Sequence, residues 1–149
     1  MTQAQTTIQP VRRAVTVERP LEDAFRVFTE GLGTWWPVAT HSIAKDAVET
    51  VVMEGREGGR LYERASDGTE ADWGRLIAWE PPHRVAFEWH VTGTPTEVEV
   101  RFAPDGDGTR VELEHRGFER LEDGAERRDS YSSGWVTVLG RYAEAVSLP

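Results

Sequence analysis

The last stretch of the chain, DSYSSGWVTVLGRYAEAV from Asp129 to Val146, constrains the fold more than any other. Tyr131, Trp135, Val138, Leu139, Tyr142 and Val146 recur at the spacing of one face of an α-helix. Gly134 and Gly140 each cost about 1 kcal/mol of helix propensity relative to alanine, so packing must hold this helix in place. Ser130, Ser132 and Ser133 fall near its expected start, where N-capping accounts for at least one of them. Almost everything before it reads as strand. One amphipathic helix after a run of strands implies a sheet curved around that helix.

Val11 to Val17 forms the first expected strand. Pro20 suits a first helical position, and Leu21, Ala24, Phe25, Phe28 and Leu32 then mark a short amphipathic helix. Gly31 and Gly33 end that helix or divide it from a further turn. Trp35-Trp36-Pro37 follows, then a segment to Lys45 without a clear period. Two adjacent indoles on a regular element cannot both face inward. Either both cap the core, or one packs under the helix while the other closes a groove.

Six further strands are expected: Val48 to Glu54, Arg60 to Arg64, Trp73 to Trp79, Val85 to Val91, Thr96 to Phe102 and Thr109 to His115. Gly58-Gly59, Asp67-Gly68, Pro81-Pro82, Thr92 to Pro95 and Pro104 to Gly108 separate them. Such closely spaced turns make an antiparallel meander. Residues 1–10 read as a frayed tail and 11–149 as one domain.

Centring the turns pairs Phe102 with Val111, Val100 with Leu113 and Val98 with His115. It also pairs Val85 with Phe102, Phe87 with Val100, Trp89 with Val98, Trp79 with Val85, Ile77 with Phe87 and Arg75 with Trp89. The apolar sets then share one face, while Glu88, Glu99 and Glu114 lie with Arg84, Arg101 and Arg110 on the other. Arg75 and His115 break the inner pattern, and a buried polar side chain is costly unless paired or wet. Two readings stay open. His115 bonds a backbone carbonyl while Arg75 pairs with Glu63 or another carboxylate near the rim, or the two form the polar end of a ligand cavity.

At 149 residues with 38% hydrophobic and 29% charged content, the chain suits one soluble, cytoplasmic domain. No apolar run nears the ~20 residues that span a bilayer, so no membrane insertion is expected. The net charge of −9 argues against a nucleic-acid partner. Lack of cysteine removes disulfides and thiolate chemistry. No metal, cofactor or catalytic set is legible: His115 is the one histidine expected inside, and a catalytic zinc needs three protein ligands. The six tryptophans are the unusual feature.

Several short stretches together resemble the AHSA1-like family, named for the activator of Hsp90 ATPase, in the START/Bet v 1-like SRPBCC superfamily. They are Gly58-Gly59-Arg60, Trp73-Gly74, Trp79-Glu80-Pro81-Pro82, Phe87-Glu88-Trp89, Leu113 to Phe118 and Gly134-Trp135 with Leu139. The resemblance implies an α+β helix-grip fold. In it a curved antiparallel sheet wraps a long C-terminal helix, with two short helices after the first strand. It also implies a hydrophobic cavity between sheet and helix.

The expected function is therefore binding of a small apolar or aromatic molecule there. Trp89, Trp135, Tyr131 and Trp73 would form walls, Arg75 and His115 a polar end, and Trp35 and Trp36 the closure of the mouth. The alternatives are a cyclase- or hydrolase-type enzyme using His115 as base, and a co-chaperone-like or regulatory interaction module. A homodimer stays open. The Hsp90 activators carry a further domain without a counterpart in these residues, which argues against an Hsp90-type partner.

Overall fold

The computed structural model describes residues 8–147. Seven antiparallel strands form one sheet: β1 Val11–Val17, β2 Val48–Met53, β3 Arg60–Ala65, β4 Glu70–Glu80, β5 Arg84–Trp89, β6 Thr96–Asp105 and β7 Gly108–Arg116. Their spatial order is β1-β7-β6-β5-β4-β3-β2. Between β1 and β2 lie α1 Leu21–Thr29 and α2 Leu32–Trp35, divided at Glu30-Gly31. The chain ends in α3 Gly124–Ser147, which the inner face of the sheet grips. This is the helix-grip architecture.

Trp135, Val138, Leu139, Tyr142 and Val146 are the buried stripe of α3, as their spacing requires. The helix starts at Gly124, about three turns before that stripe begins at Trp135. Its first turn, with Glu126, carries no member of the stripe, so apolar spacing could not register it. Ser130, Ser132 and Ser133 therefore lie inside the helix and cap nothing. Ser132 instead takes two hydrogen bonds from Arg13, at its hydroxyl and its carbonyl, tying α3 to β1. Of the expected frayed tail, residues 8–10 are held: Ile8 packs on the core, and Arg128 binds the Gln9 and Pro10 carbonyls. The rest lies outside the described residues.

At the far end of α3, the Tyr142 hydroxyl donates to the Ala24 carbonyl at 2.7 Å and locks α1 across the helix. Phe25 and Phe28 of α1 meet Phe102 edge-on. Gly140 faces open space on α3. Gly140→Ala should therefore add about 1 kcal/mol of stability through helix propensity alone. Chemical denaturation checks this, and an unchanged midpoint would contradict it.

The register agrees with expectation between β6 and β7, where Phe102 faces Val111, Val100 faces Leu113 and Val98 faces His115. Between β5 and β6 it is two residues off: Val85 faces Val100 and Trp89 faces Thr96. The turn at 90–95 is longer than its Gly-Thr-Pro core suggests, and a two-residue slip leaves every side chain on its face.

Strand β4 departs further. It matches β3 and β5 only by skipping Trp73 on one side and Ile77 on the other. These two bulges turn Arg75 and Ile77 outward, while Trp73 and Leu76 stay buried. Gly74 permits the tight passage between them, since a Cβ there would sit 1.8 Å from the Glu88 carbonyl oxygen.

The outer face is the expected charged surface. Glu99 lies at its centre and pairs with Arg84, Arg101 and Arg116. Partial burial works to raise the Glu99 pKa, but hydrogen bonds from Arg84 and Arg116 and the charge of Arg101 outweigh it, and the pKa is lowered. Among the described residues no helix is long and apolar enough to cross a membrane.

Candidate functional site

A cavity of about 230 Å³ opens between the sheet and the first half of α3. Trp73 of β4 and Trp89 of β5 line it from the sheet, Tyr131, Gly134, Trp135 and Val138 from the helix. The segment 36–45 covers it with Trp36, His41, Ser42, Ile43 and Lys45. Ile43 and Val91, both exposed, form an apolar rim.

The four indoles touch one another. Trp36 lies 5.0 Å from Trp73, 6.4 Å from Trp89 and 5.9 Å from Trp135, centroid to centroid. Each indole N–H is committed to the protein. Trp36 donates to the His41 carbonyl, Trp73 to Glu63 Oε1, Trp89 to the Tyr131 hydroxyl and Trp135 to His115 Nδ1. An indole N–H needs a partner when buried. With all four occupied, the walls offer a guest ring carbon and no indole donor.

Glu63 and His115 do this work from behind the walls. Glu63, 2% exposed, accepts from the Trp73 indole and from the Ile43 and Ala44 amides, at 2.7 to 2.8 Å. One carboxylate thus fixes a wall and fastens the covering segment. Leu61, Glu63 and Ala65 alternate along β3, so period two already turned Glu63 inward; the expectation tied it to Arg75 instead.

His115 is fully buried. The Trp135 indole donates to its Nδ1 at 3.0 Å, which leaves the proton on Nε2, 2.7 Å from Thr96 Oγ1. Burial pushes its pKa down to about 3. The ring is neutral, with both nitrogens engaged.

Of the expected site residues, Trp36, Trp73, Trp89, Tyr131 and Trp135 come together at the cavity. Three do not. Arg75 lies exposed on the outer face opposite Glu88, carried there by the bulged β4, and donates to the Gly58 carbonyl. His115 stands behind Trp135 and does not line the cavity. Trp35 packs in the core against Phe28 and Tyr142, its indole on the Val27 carbonyl. Both indoles of the pair face inward because α2 ends between them, with Trp36 already extended.

His41, Lys45 and Gly134 were missed. His41 Nδ1 meets Thr40 Oγ1 at 2.6 Å, and its ring lies over Gly134 of α3. Partial burial and then the Lys45 charge lower the His41 pKa. The segment carrying both has no period to read, so its side chains could not be assigned a direction. The Tyr131 hydroxyl accepts from Trp89, and Tyr131 lines the cavity.

The Activator of Hsp90 ATPase homolog 1-like protein profile matches residues 18–147. The chain belongs to that family. Among solved structures it is similar to an anthrahydroquino-γ-pyrone synthase, Txn09, at 36% identity and a TM-score of 0.62, covering 93% of this chain and 97% of that one. It is also similar to CalC, a self-sacrificing resistance protein from Micromonospora echinospora, at 27% identity and a TM-score of 0.66, over 93% and 94% of the two chains. An Aha1 dimer from Colwellia psychrerythraea shares the fold at 14% identity and a TM-score of 0.70, over 95% and 98%. No curated protein sequence matches the chain.

Proposed function

We propose that this member of the family binds a flat aromatic small molecule between its sheet and α3. The observation that carries this reading is the convergence of Trp36, Trp73, Trp89 and Trp135 on one cavity with every indole N–H already engaged. Such walls reward stacking and dispersion. They leave orientation to a few polar groups, here His41, Ser42, Lys45 and the Tyr131 hydroxyl. At about 230 Å³ the cavity lies below the ~300 Å³ usual for small-molecule pockets. It suits two or three fused rings, with one edge emerging past Ile43 and Val91. The likeness to a synthase named for a fused aromatic product supports the same ligand class.

Anthraquinone-2-carboxamide serves as a neutral probe, with tryptophan fluorescence as the readout. Wild-type emission should be quenched on saturable binding. Gly134→Leu projects a side chain toward His41 and should weaken binding at least about tenfold, while the helical circular dichroism stays intact. Absence of quenching in wild type, or equal affinity in Gly134→Leu, would sink the reading.

The synthase likeness favours a second reading, catalysis in the same cavity. Its acid and base would be Tyr131 and His41. His115, with both nitrogens bonded, and Arg75, on the outer face, are out of reach.

A further inference from the structure

The 17 basic residues of this chain are sixteen arginines and one lysine, and the lysine is Lys45 at the edge of the cavity. Most of the arginines pair with carboxylates, as the long ion-pair rows on the outer face show. Lys45 pairs with none among the described residues, although the chain has 26 acidic side chains. Among the described residues its ammonium donates to the Thr40 carbonyl alone, at 3.0 Å. Its backbone is also unusual. With φ at 50°, it is the one non-glycine among the described residues in the left-handed region. Lysine gains nothing locally from that conformation, which asparagine or glycine adopts more readily. Strained backbone of this kind clusters at ligand clamps.

We propose that Lys45 reads an ionised oxygen on the edge of the aromatic ligand, so that the cavity selects acidic aromatic molecules. This rests on the cavity reading given above. The placement is consistent throughout. The aromatic body lies among the indoles, and the emerging edge passes the rim where Lys45 stands beside Ile43. A lysine suits that position better than arginine would. Its compact charge sits on a flexible stem and can follow an edge group of variable position, whereas a guanidinium demands fixed planar geometry. The −9 net charge repels anions from the surface at large, so an acidic ligand needs a local cation at the mouth. His41, next to Lys45, can donate to the same oxygen through Nε2 once its proton is on that nitrogen.

The test compares two probes of the same shape, anthraquinone-2-carboxylate and anthraquinone-2-carboxamide, by calorimetric titration. Wild type should bind the carboxylate about fivefold more tightly, the scale of a solvent-facing ion pair. Lys45→Gln should bind the two alike, the preference for the carboxylate being lost. Lys45→Arg should restore part of the preference. Equal binding of both probes to wild type overturns the charge assignment and leaves the cavity reading standing. A preference that survives in Lys45→Gln does the same. If neither probe binds wild type, the cavity reading falls and this inference with it.

Discussion

Glu63→Ala should lower stability by about 3 kcal/mol and release the segment that covers the cavity. The glutamate is 2% exposed and accepts three hydrogen bonds, from the Ile43 and Ala44 amides and the Trp73 indole. Alanine leaves all three donors without a partner. The two amides can turn to water if segment 36–45 lifts, because Ile43 is already exposed. The Trp73 indole, 1% exposed, cannot. The loss should therefore appear in two measurements. Denaturant unfolding should show the drop in stability, and hydrogen exchange should show lost protection at amides 43 and 44. Glu63→Gln keeps the shape but turns an NH2 group toward N–H donors, so its loss should be intermediate. If Glu63→Ala stays within about 1 kcal/mol of wild type with those amides still protected, Glu63 does not anchor the cover.

The second large effect is a pH dependence owed to His115. Its pKa is about 3 in the folded chain, lowered by burial from an ordinary value of 6.5. The unfolded chain therefore binds a proton below pH 6.5 that the folded chain refuses. The sign follows directly: stability is fully present above pH 6.5 and is lost as pH falls toward 3. Between pH 7 and pH 5 the loss should be about 2 kcal/mol, from one proton at 1.36 kcal/mol per unit. His41, also lowered, contributes in the same direction. Comparison with His115→Gln isolates the buried ring. The amide can accept from Trp135 and donate to Thr96, so this variant should fold. Its stability should be lower at pH 7 yet vary less between pH 7 and 5. Parallel pH profiles for the two proteins would mean that His115 is not the group responsible.

Both predictions concern residues whose importance was only partly legible. His115 stood out as a polar residue on an apolar strand face, and its inward direction was read correctly from the β6–β7 register. Its partners were not. Thr96 lies on the neighbouring strand and Trp135 on α3, 20 residues away in the chain. Arg75 illustrates the opposite case. Simple alternation from Trp73 to Trp79 put it inside, and the bulges at Trp73 and Ile77 put it outside. A bulge arises from how three strands fit together, and local alternation holds no record of it. Lys45 could have been noticed by counting alone, since it is the one lysine in the chain. Its place at the rim follows from the Glu63 anchor, which no spacing announces.

By itself the sequence determined a sheet curved around one helix, the face that every strand but the bulged β4 buries, the charged outer surface and the stripe by which α3 is gripped. These follow from periodicities of 2 and 3.6, which any segment carries within its own residues. Only the tertiary structure decided which aromatic rings meet, which of their N–H groups are spent, and which polar residues face the space that remains. Those outcomes depend on contacts between residues far apart in the chain, on two local bulges and on a segment without period. Each is settled by packing and by the need to satisfy buried donors.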